Sequence, residues 1–455
     1  MATPGILDVT SGQIEVVERD FQLIFEESDA LGAKIRKSEK VQQVSRYLYR
    51  LPFMKYRGGA FRKISANNSS LGSGTGMVMS NFTAGYITTI RAYRVTREQK
   101  NTTSTKKQSV VDVFAETAAH ALQDAMVDDD IGLHQDGTGI LTNASSAATT
   151  TTLTFAGATD YIGINRLREG MVIDIWDAAL TTNLTSALTN VTITAIDYIN
   201  KKITIDQAVA TLVNQTNVVT IANLPIYGPA TPTSFSSTWP DRTVAGGLGG
   251  DSFRHGFPYV HDITSTNYYL GVLKSSIPQI VAARVSASNG GISFDHGQLL
   301  IDQWIQRRGS NDEDVTAGVL GVMHQAQRMA IQKLGTTINN VYIPSTSGDA
   351  GKSKDLLPTN HQYKDTTMFC GIPMMVSKRQ DKSRLDFLML SKWFRAELHP
   401  VRFYDEDGKK FFEGRGSDGT VQTFVEFFVE ASYDHSSMDP GRDGLIDQIA
   451  VPTGA

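Results

Sequence analysis

The order of hydrophobic patterns along this 455-residue chain predicts an α+β fold carrying a small inserted all-β domain. Three observations carry that prediction. Apolar side chains recur every three or four positions over residues 12–49 and again over 109–127, the period of an amphipathic helix. Composition then shifts abruptly to Thr, Val and Ile in short runs over residues 146–222, the signature of strands. From residue 267 onward helical and strand patterns alternate, as in a mixed body of helices and sheets. A chain this long has material for about two to four domains.

The first helical stretch is an arm. Thr10 and Gln13 stand three apart, as in a capping box, ahead of Ile14, Val17, Phe21, Ile24, Leu31 and Ile35. The apolar stripe is narrow and the remainder is charged, so Ile14, Val17, Phe21 and Ile24 are expected to contact a partner surface, with packing on the chain's own domain as the alternative. Pro52 ends the arm. Residues 53–64 alternate apolar and basic side chains, 71–76 hold three glycines, and 77–95 read as one returning strand containing Tyr86, Ile87, Ile90, Tyr93 and Val95. Two-stranded ribbons are marginal in water, so this hairpin needs a neighbouring surface.

Charge points the same way. Residues 34–107 carry sixteen Lys and Arg against two acids, Glu39 and Glu98, while the remainder of the chain is strongly acidic. A net charge of only −4 conceals this separation. Opposed potentials steer association, so Lys55, Arg57, Arg62, Lys63, Arg91, Arg94 and Arg97 are expected to meet the acidic body of another copy or a polyanion.

Ser109 and Asp112 cap the next helix, whose apolar face is Val110, Val111, Phe114, Ala118, Ala121, Leu122, Ala125 and Met126. Asp128, Asp129 and Asp130 would close it with a charge unfavourable for a helix C-terminus, and so are candidate acceptors for the basic hairpin of another subunit; a solvated helix end is the alternative. Asp136-Gly137-Thr138-Gly139 is a turn. The Thr-rich stretch opens at 149–154, and within it strands are predicted near 171–176, 191–196, 203–206 and 218–221, with Asn200-Lys201-Lys202 in a turn. A Pro- and Gly-rich segment follows. Helices are predicted near 294–305 and 316–334, and strands near 369–376, 387–390, 401–404, 410–412 and 421–429.

Catalytic patterns are missing. There is no Gly-x-Ser-x-Gly elbow, no His-Glu-x-x-His helix and no phosphate loop ending in Gly-Lys-Ser or Gly-Lys-Thr. Gly72, Gly74 and Gly76 fail the dinucleotide pattern because a strand follows them. Asp405-Glu406-Asp407-Gly408 lacks the alternating ligands of a calcium loop and reads as a hairpin turn between Tyr404 and Phe411. His255 and His261 stand six apart, which fits no metal-ligand spacing. Cys370 is the only cysteine, so no intrachain disulfide forms. No enzyme activity, cofactor or metal is expected. No apolar run approaches the roughly 18 residues of a membrane span, and no secretion signal is seen at the N-terminus.

In this order, the helical arm, the long loop at 52–107, the spine-like helix at 109–127, Asp136-Gly137-Thr138-Gly139, Gly371-Ile372-Pro373-Met374, Trp393, the Asp407-Gly408 turn and the closing segments at 424–433 and 443–450 resemble the major capsid protein of tailed bacteriophages, the HK-ninety-seven-like shell fold. The resemblance is one of arrangement. It implies an N-terminal arm at 1–50, an extended loop at 51–108, the spine helix and start of a peripheral domain at 109–145, and an inserted β-rich domain at 146–222. A connecting segment at 223–266, an axial domain at 267–384 and the peripheral C-terminal strands at 385–455 complete it.

The function so implied is self-assembly into hexamers and pentamers of an icosahedral shell around double-stranded DNA, contacted without sequence preference. The protein would be assembled in the host cytoplasm and reside in the virion. Scaffolding, portal and decoration proteins are the implied further partners, and no membrane is involved. Some relatives crosslink a loop Lys to an Asn; Lys55 and Lys63 match such a donor by location alone. The alternatives are an encapsulin-like nanocompartment, a secreted β-rich carbohydrate-active or adhesive protein, and a nucleic-acid-binding module using Tyr47, Tyr49, Tyr56, Tyr86 and Tyr93 among the basic residues.

Overall fold

The computed structural model describes residues 31, 35, 42–43, 48–56, 58–59, 76–96, 113–137, 139–144, 150–155, 163–176, 184–185, 188, 191–209, 217–221, 254–308, 315–341, 367–405, 410–415 and 421–451. Strands β1 (Gln42–Gln43), β2 (Leu48–Tyr56) and β3 (Val78–Gly85) form the hairpin sheet, in that order. The helical arm was expected to run to residue 49; instead the chain is already extended at β1 and β2. The alternation of Tyr49, Leu51 and Phe53 suits a half-buried strand, and these residues pack there.

The single returning strand is also corrected. The chain breaks at Tyr86, and β4 (Ile87–Thr96) leaves the hairpin to pair with a different sheet. Helix α1 (Val113–Leu133) follows. It runs past the acid triplet to Leu133, because Val127, Ile131 and Leu133 extend the buried face.

The inserted module contains β5 (Ile140–Ala144), β6 (Thr150–Thr154), β7 (Ile173–Trp176), β8 (Ile193–Asp197), β9 (Lys202–Val209) and β10 (Asn217–Ile221). Two three-stranded sheets result, β5-β10-β7 and β6-β9-β8, sharing a core of Leu153, Ile173, Ile175, Ile193, Ile203 and Ile205. The tight turn between β8 and β9 is stabilised by Asp197, whose carboxylate accepts the N–H groups of Ile199 and Asn200, and by Lys201 at a φ of 53°.

Helix α2 (Phe257–Val260) and the ribbon β11 (Tyr268–Tyr269) and β12 (Val272–Leu273) lead into a six-stranded sheet. Its elements are β13 (Ala283–Ser286), α3 (Phe294–Arg308), β14 (Val319–Met323), α4 (Gln325–Val341), β15 (Thr367–Phe369), β16 (Ile372–Val376) and β17 (Leu385–Met389). The helix predicted over 316–334 is split. Its first part, Val319–Met323, is buried at every position and becomes a strand between β16 and β17. A continuous apolar run of five suits a strand covered on both faces.

The chain then passes to β18 (Trp393–Phe403), β19 (Phe411–Arg415) and β20 (Val421–Ser437), and returns as β21 (Gly444–Asp447). The six-stranded order is β13-β21-β17-β14-β16-β15, so residues 385–389 and 444–447, expected among the peripheral strands, lie in this sheet. In the four-stranded sheet, β4 pairs one edge of the 17-residue β20, while β18 and β19 lie end to end along the other. Both run antiparallel to β20. The expected hairpin between Tyr404 and Phe411 is therefore corrected: Phe403 stands opposite Val429, Phe411 stands opposite Phe427, and the two strands run in the same direction instead of facing each other. Helix α1 covers this sheet through Ala121 and Ala125 against Val95, Phe427 and Val429.

Candidate assembly site

At its base the hairpin is seated on its own chain. Leu51 stands opposite Phe82 and Tyr49 opposite Ala84, and all four are buried. Phe53 stacks on Phe82 with ring centroids 4.1 Å apart, and Phe82 meets Tyr269 edge-on at 5.5 Å. The Thr83 N–H donates to the Leu270 carbonyl at 2.8 Å, so the β11–β12 turn grips β3. That turn needs left-handed backbone at two successive positions, Leu270 (φ 46°) and Gly271 (φ 80°).

Farther out the packing stops. Met54 stands opposite Met79, and Met54, Met77, Val78 and Met79 are 50%, 54%, 45% and 58% exposed. These flexible apolar side chains form an exposed patch on the hairpin's outward half. Lys55 lies half-buried on β2, whereas Arg57, Arg62, Lys63 and Arg97 fall outside the described residues, as do Ile14, Val17, Phe21 and Ile24 of the arm.

The charged candidates that are described have partners within the chain. Arg91 pairs with Asp128 and lies 3.6 Å from Asp124. Arg94 donates through Nε to Glu426 at 2.9 Å and covers the Phe424 ring at 3.8 Å. Asp129 lies 3.3 Å from Arg254 and 2.9 Å from His435; Asp130 lies 3.8 Å from Arg379. Arg91, Arg94 and these three acids, expected to meet another subunit, are thus each engaged within the chain. Because the helix continues beyond them, the acids point into the joint between α1 and the sheets instead of standing at a free end.

That joint holds the polar residues that sequence reasoning missed. The run Ser432-Tyr433-Asp434-His435-Ser436-Ser437 in β20 is buried throughout. Asp434 accepts from the Tyr49 hydroxyl at 3.0 Å and from the His255 N–H at 3.0 Å, and lies 2.6 Å from His255 Nδ1. Arg254 donates to the Tyr433 hydroxyl at 2.8 Å and to Thr89 at 2.7 Å. Asp386 lies 2.5 Å from His261 Nδ1 and accepts two-pronged hydrogen bonds from Arg384.

The electrostatics follow from burial. Burial works to raise the Asp129 and Asp386 carboxyls, but His435 and Arg254, and Arg384 and His261, hold them below the usual carboxylate range. Burial pushes His134 down to about 3, and it pushes the Asp443 carboxyl up to about 8 despite hydrogen bonds from the Met389 N–H and the Trp393 indole. The sequence held one faint signal: six polar residues continuing a strand pattern have to be satisfied somewhere. Among the described residues, no group of three or more His, Cys, Asp or Glu is placed to hold a metal ion, and no helix is long and apolar enough to cross a membrane.

No family model matches this sequence, and no curated protein matches it. Solved structures do. The chain is similar to one from the cyanophage A-1(L) capsid asymmetric unit, at 10% identity and a TM-score of 0.52, over 96% of this chain and 97% of that one. It also aligns with a chain from the capsid of an empty GTA particle, at 9% identity and a TM-score of 0.46, over 98% of each. The cyanophage likeness shows the fold: the chain as a whole is folded as a chain of a phage capsid is, as the resemblance implied.

Proposed function

We propose that this chain is a major capsid protein, a structural subunit that self-assembles as hexamers and pentamers into an icosahedral shell enclosing double-stranded DNA. The observation that carries this reading is the shared fold over nearly the whole of both chains with a chain described as part of a capsid. The exposed half of the hairpin supplies the means. Met54, Met77, Val78 and Met79 lose their exposure when the hairpin of one copy lies across the next.

In this reading the compact six-stranded half forms the ring of each capsomer, and the four-stranded half with α1 joins neighbours. The cationic segment 34–107 steers this docking onto the acidic remainder of a neighbouring copy. Buried area per subunit then exceeds that of a standard pairwise interface. Scaffolding, portal and decoration proteins, assembly in the host cytoplasm and residence in the virion belong to the same proposal.

Negative-stain microscopy of the expressed full chain tests it. Closed particles of uniform diameter are expected. A stable monomer at high concentration would overturn the reading, and particles filled with protein instead of DNA would turn it into a nanocompartment shell.

A further inference from the structure

Within the inserted module, the loop at 163–171 has two sets of side chains. Ile164, Leu167 and Met171 are buried in the module's own core. Local bonds fix the backbone: Leu167 N–H to the Ile164 carbonyl at 3.0 Å, and Gly170 N–H to the Ile193 carbonyl at 2.8 Å. The Glu169 carboxylate accepts the Ile196 N–H at 3.1 Å. The intervening polar residues leave the module and reach three other elements. Arg168 donates to Asp124 of α1 at 2.7 Å and lies 3.5 Å from Asp128. The Asn165 amide lies 3.3 Å from His324 Nε2, at the start of α4. Arg166 donates to the Arg379 carbonyl, between β16 and β17, at 3.3 Å.

We propose that this loop clamps the module across the joint between the α1 and four-stranded half and the six-stranded half, so that the module sets the angle between them. A module held only by its chain connections, through β5 and β10, would pivot. A second attachment reaching both halves removes that freedom, in the way three non-collinear contacts fix a rigid body. Burial of Arg166, which is 6% exposed, supports a structural contact over a chance surface one. Its guanidinium is pushed down to about 10 by burial, with Asp381 and Asp136 opposing the shift. Arg91 of β4 shares Asp124 and Asp128 with Arg168, so module, helix and sheet meet at one pair of carboxylates.

The clamp is a property of the single chain, whereas its consequence for a shell, a narrow range of particle diameters, rests on the proposed assembly role. The test is hydrogen exchange of the full-length chain carrying Asn165→Ala and Arg168→Ala, beside the parent. Loss of these contacts is expected to speed exchange about tenfold or more in residues 324–328 at the start of α4 and in the last turns of α1. Strands β8 and β9 should keep parental protection, and Arg168→Lys alone should lie between the two. Unchanged exchange in 324–328, or equal loss of protection within β8 and β9, overturns the clamp. In assembled particles the double variant should give a broader diameter distribution, and parental uniformity despite faster exchange refutes the angle-setting role. If the parent builds no particles, the assembly role fails while the exchange result still decides the clamp.

Discussion

The Tyr49 hydroxyl, at the foot of the hairpin, donates to Asp434 at 3.0 Å and so ties together residues 385 positions apart. The same carboxylate holds His255, so the hairpin base, α2 and the long strand β20 share one buried acceptor. Tyr49→Phe keeps the ring packed against Tyr86 and Phe394 while removing the hydroxyl. A cost of about 1–3 kcal/mol is expected, because a buried charged acceptor loses a donor. Hydrogen exchange across β2 checks it: protection should fall there and stay unchanged in β9 of the module.

Arg91 offers a sharper test of which cations serve the chain and which serve assembly. Its side chain is 26% exposed and pairs with Asp128, itself 20% exposed. Arg91→Glu places a third negative charge beside Asp124 and Asp128, and the isolated chain should lose about 2 kcal/mol or more. A lowered melting temperature of the unassembled protein is the expected result. An unchanged value would return Arg91 to the set of residues available to a neighbour.

The helix α1 and the module strands were legible because their signals are local. Ala121 and Ala125 sit four apart on one face, and Ile203 and Ile205 alternate with exposed neighbours. The partners of the charges were not legible. Whether Arg91 faces α1 or a second subunit depends on β4 pairing with β20, a register spanning more than 300 residues, and the local pattern of Tyr86 to Val95 is the same in either sheet. The collinearity of β18 and β19 was hidden for a similar reason. An Asp-Gly pair marks a turn, but only pairing shows whether the chain reverses. Asp434 and His435 are buried by partners distant in sequence, His255 and Asp129, which no local pattern reveals.

Asp443 gives the fold a pH dependence of known sign. Its carboxyl is fully buried, with a folded value of about 8 against about 4 when unfolded. Between those values the native state holds a proton that the unfolded chain has released, so this contribution is complete below about pH 4 and is lost as pH rises to about 8. His134, pushed down to about 3, slopes the other way: its neutral form is favoured in the fold, and that contribution is lost as pH falls from about 6.5 to about 3. Asp443→Asn leaves His134 untouched and keeps an acceptor for the Met389 N–H. Melting curves of both proteins from pH 4 to pH 8 should diverge, the variant gaining on the parent as pH rises. Parallel curves would mean that Asp443 is ionised in the fold.

Gly256 is required by space. Its φ of −132° suits any residue, but an added Cβ would overlap the Leu133 carbonyl and lie 2.6 Å from the Gln135 carbonyl oxygen. These are backbone atoms at the end of α1, and they cannot turn aside as a side chain would. Gly256→Ala should cost about 1–3 kcal/mol, or more where the backbone resists. The check is the soluble yield and melting temperature of the variant against Gly291→Ala, where an added Cβ meets nothing within 4 Å.

Met54 and Met79 face each other across β2 and β3, both about half exposed, beyond the point where Phe53 and Phe82 end the hairpin's seat. In the isolated chain they touch little, so replacing both with Glu removes little native packing. It adds repulsion between two facing charges on an exposed pair, a cost of about 1 kcal/mol or less. Against a neighbouring subunit the same change buries two carboxylates without partners, which is far more costly. The double variant should therefore melt close to the parent as a dispersed chain and build no closed particles by microscopy. Normal particles from it would show that the hairpin's outer apolar patch stays in water when subunits meet.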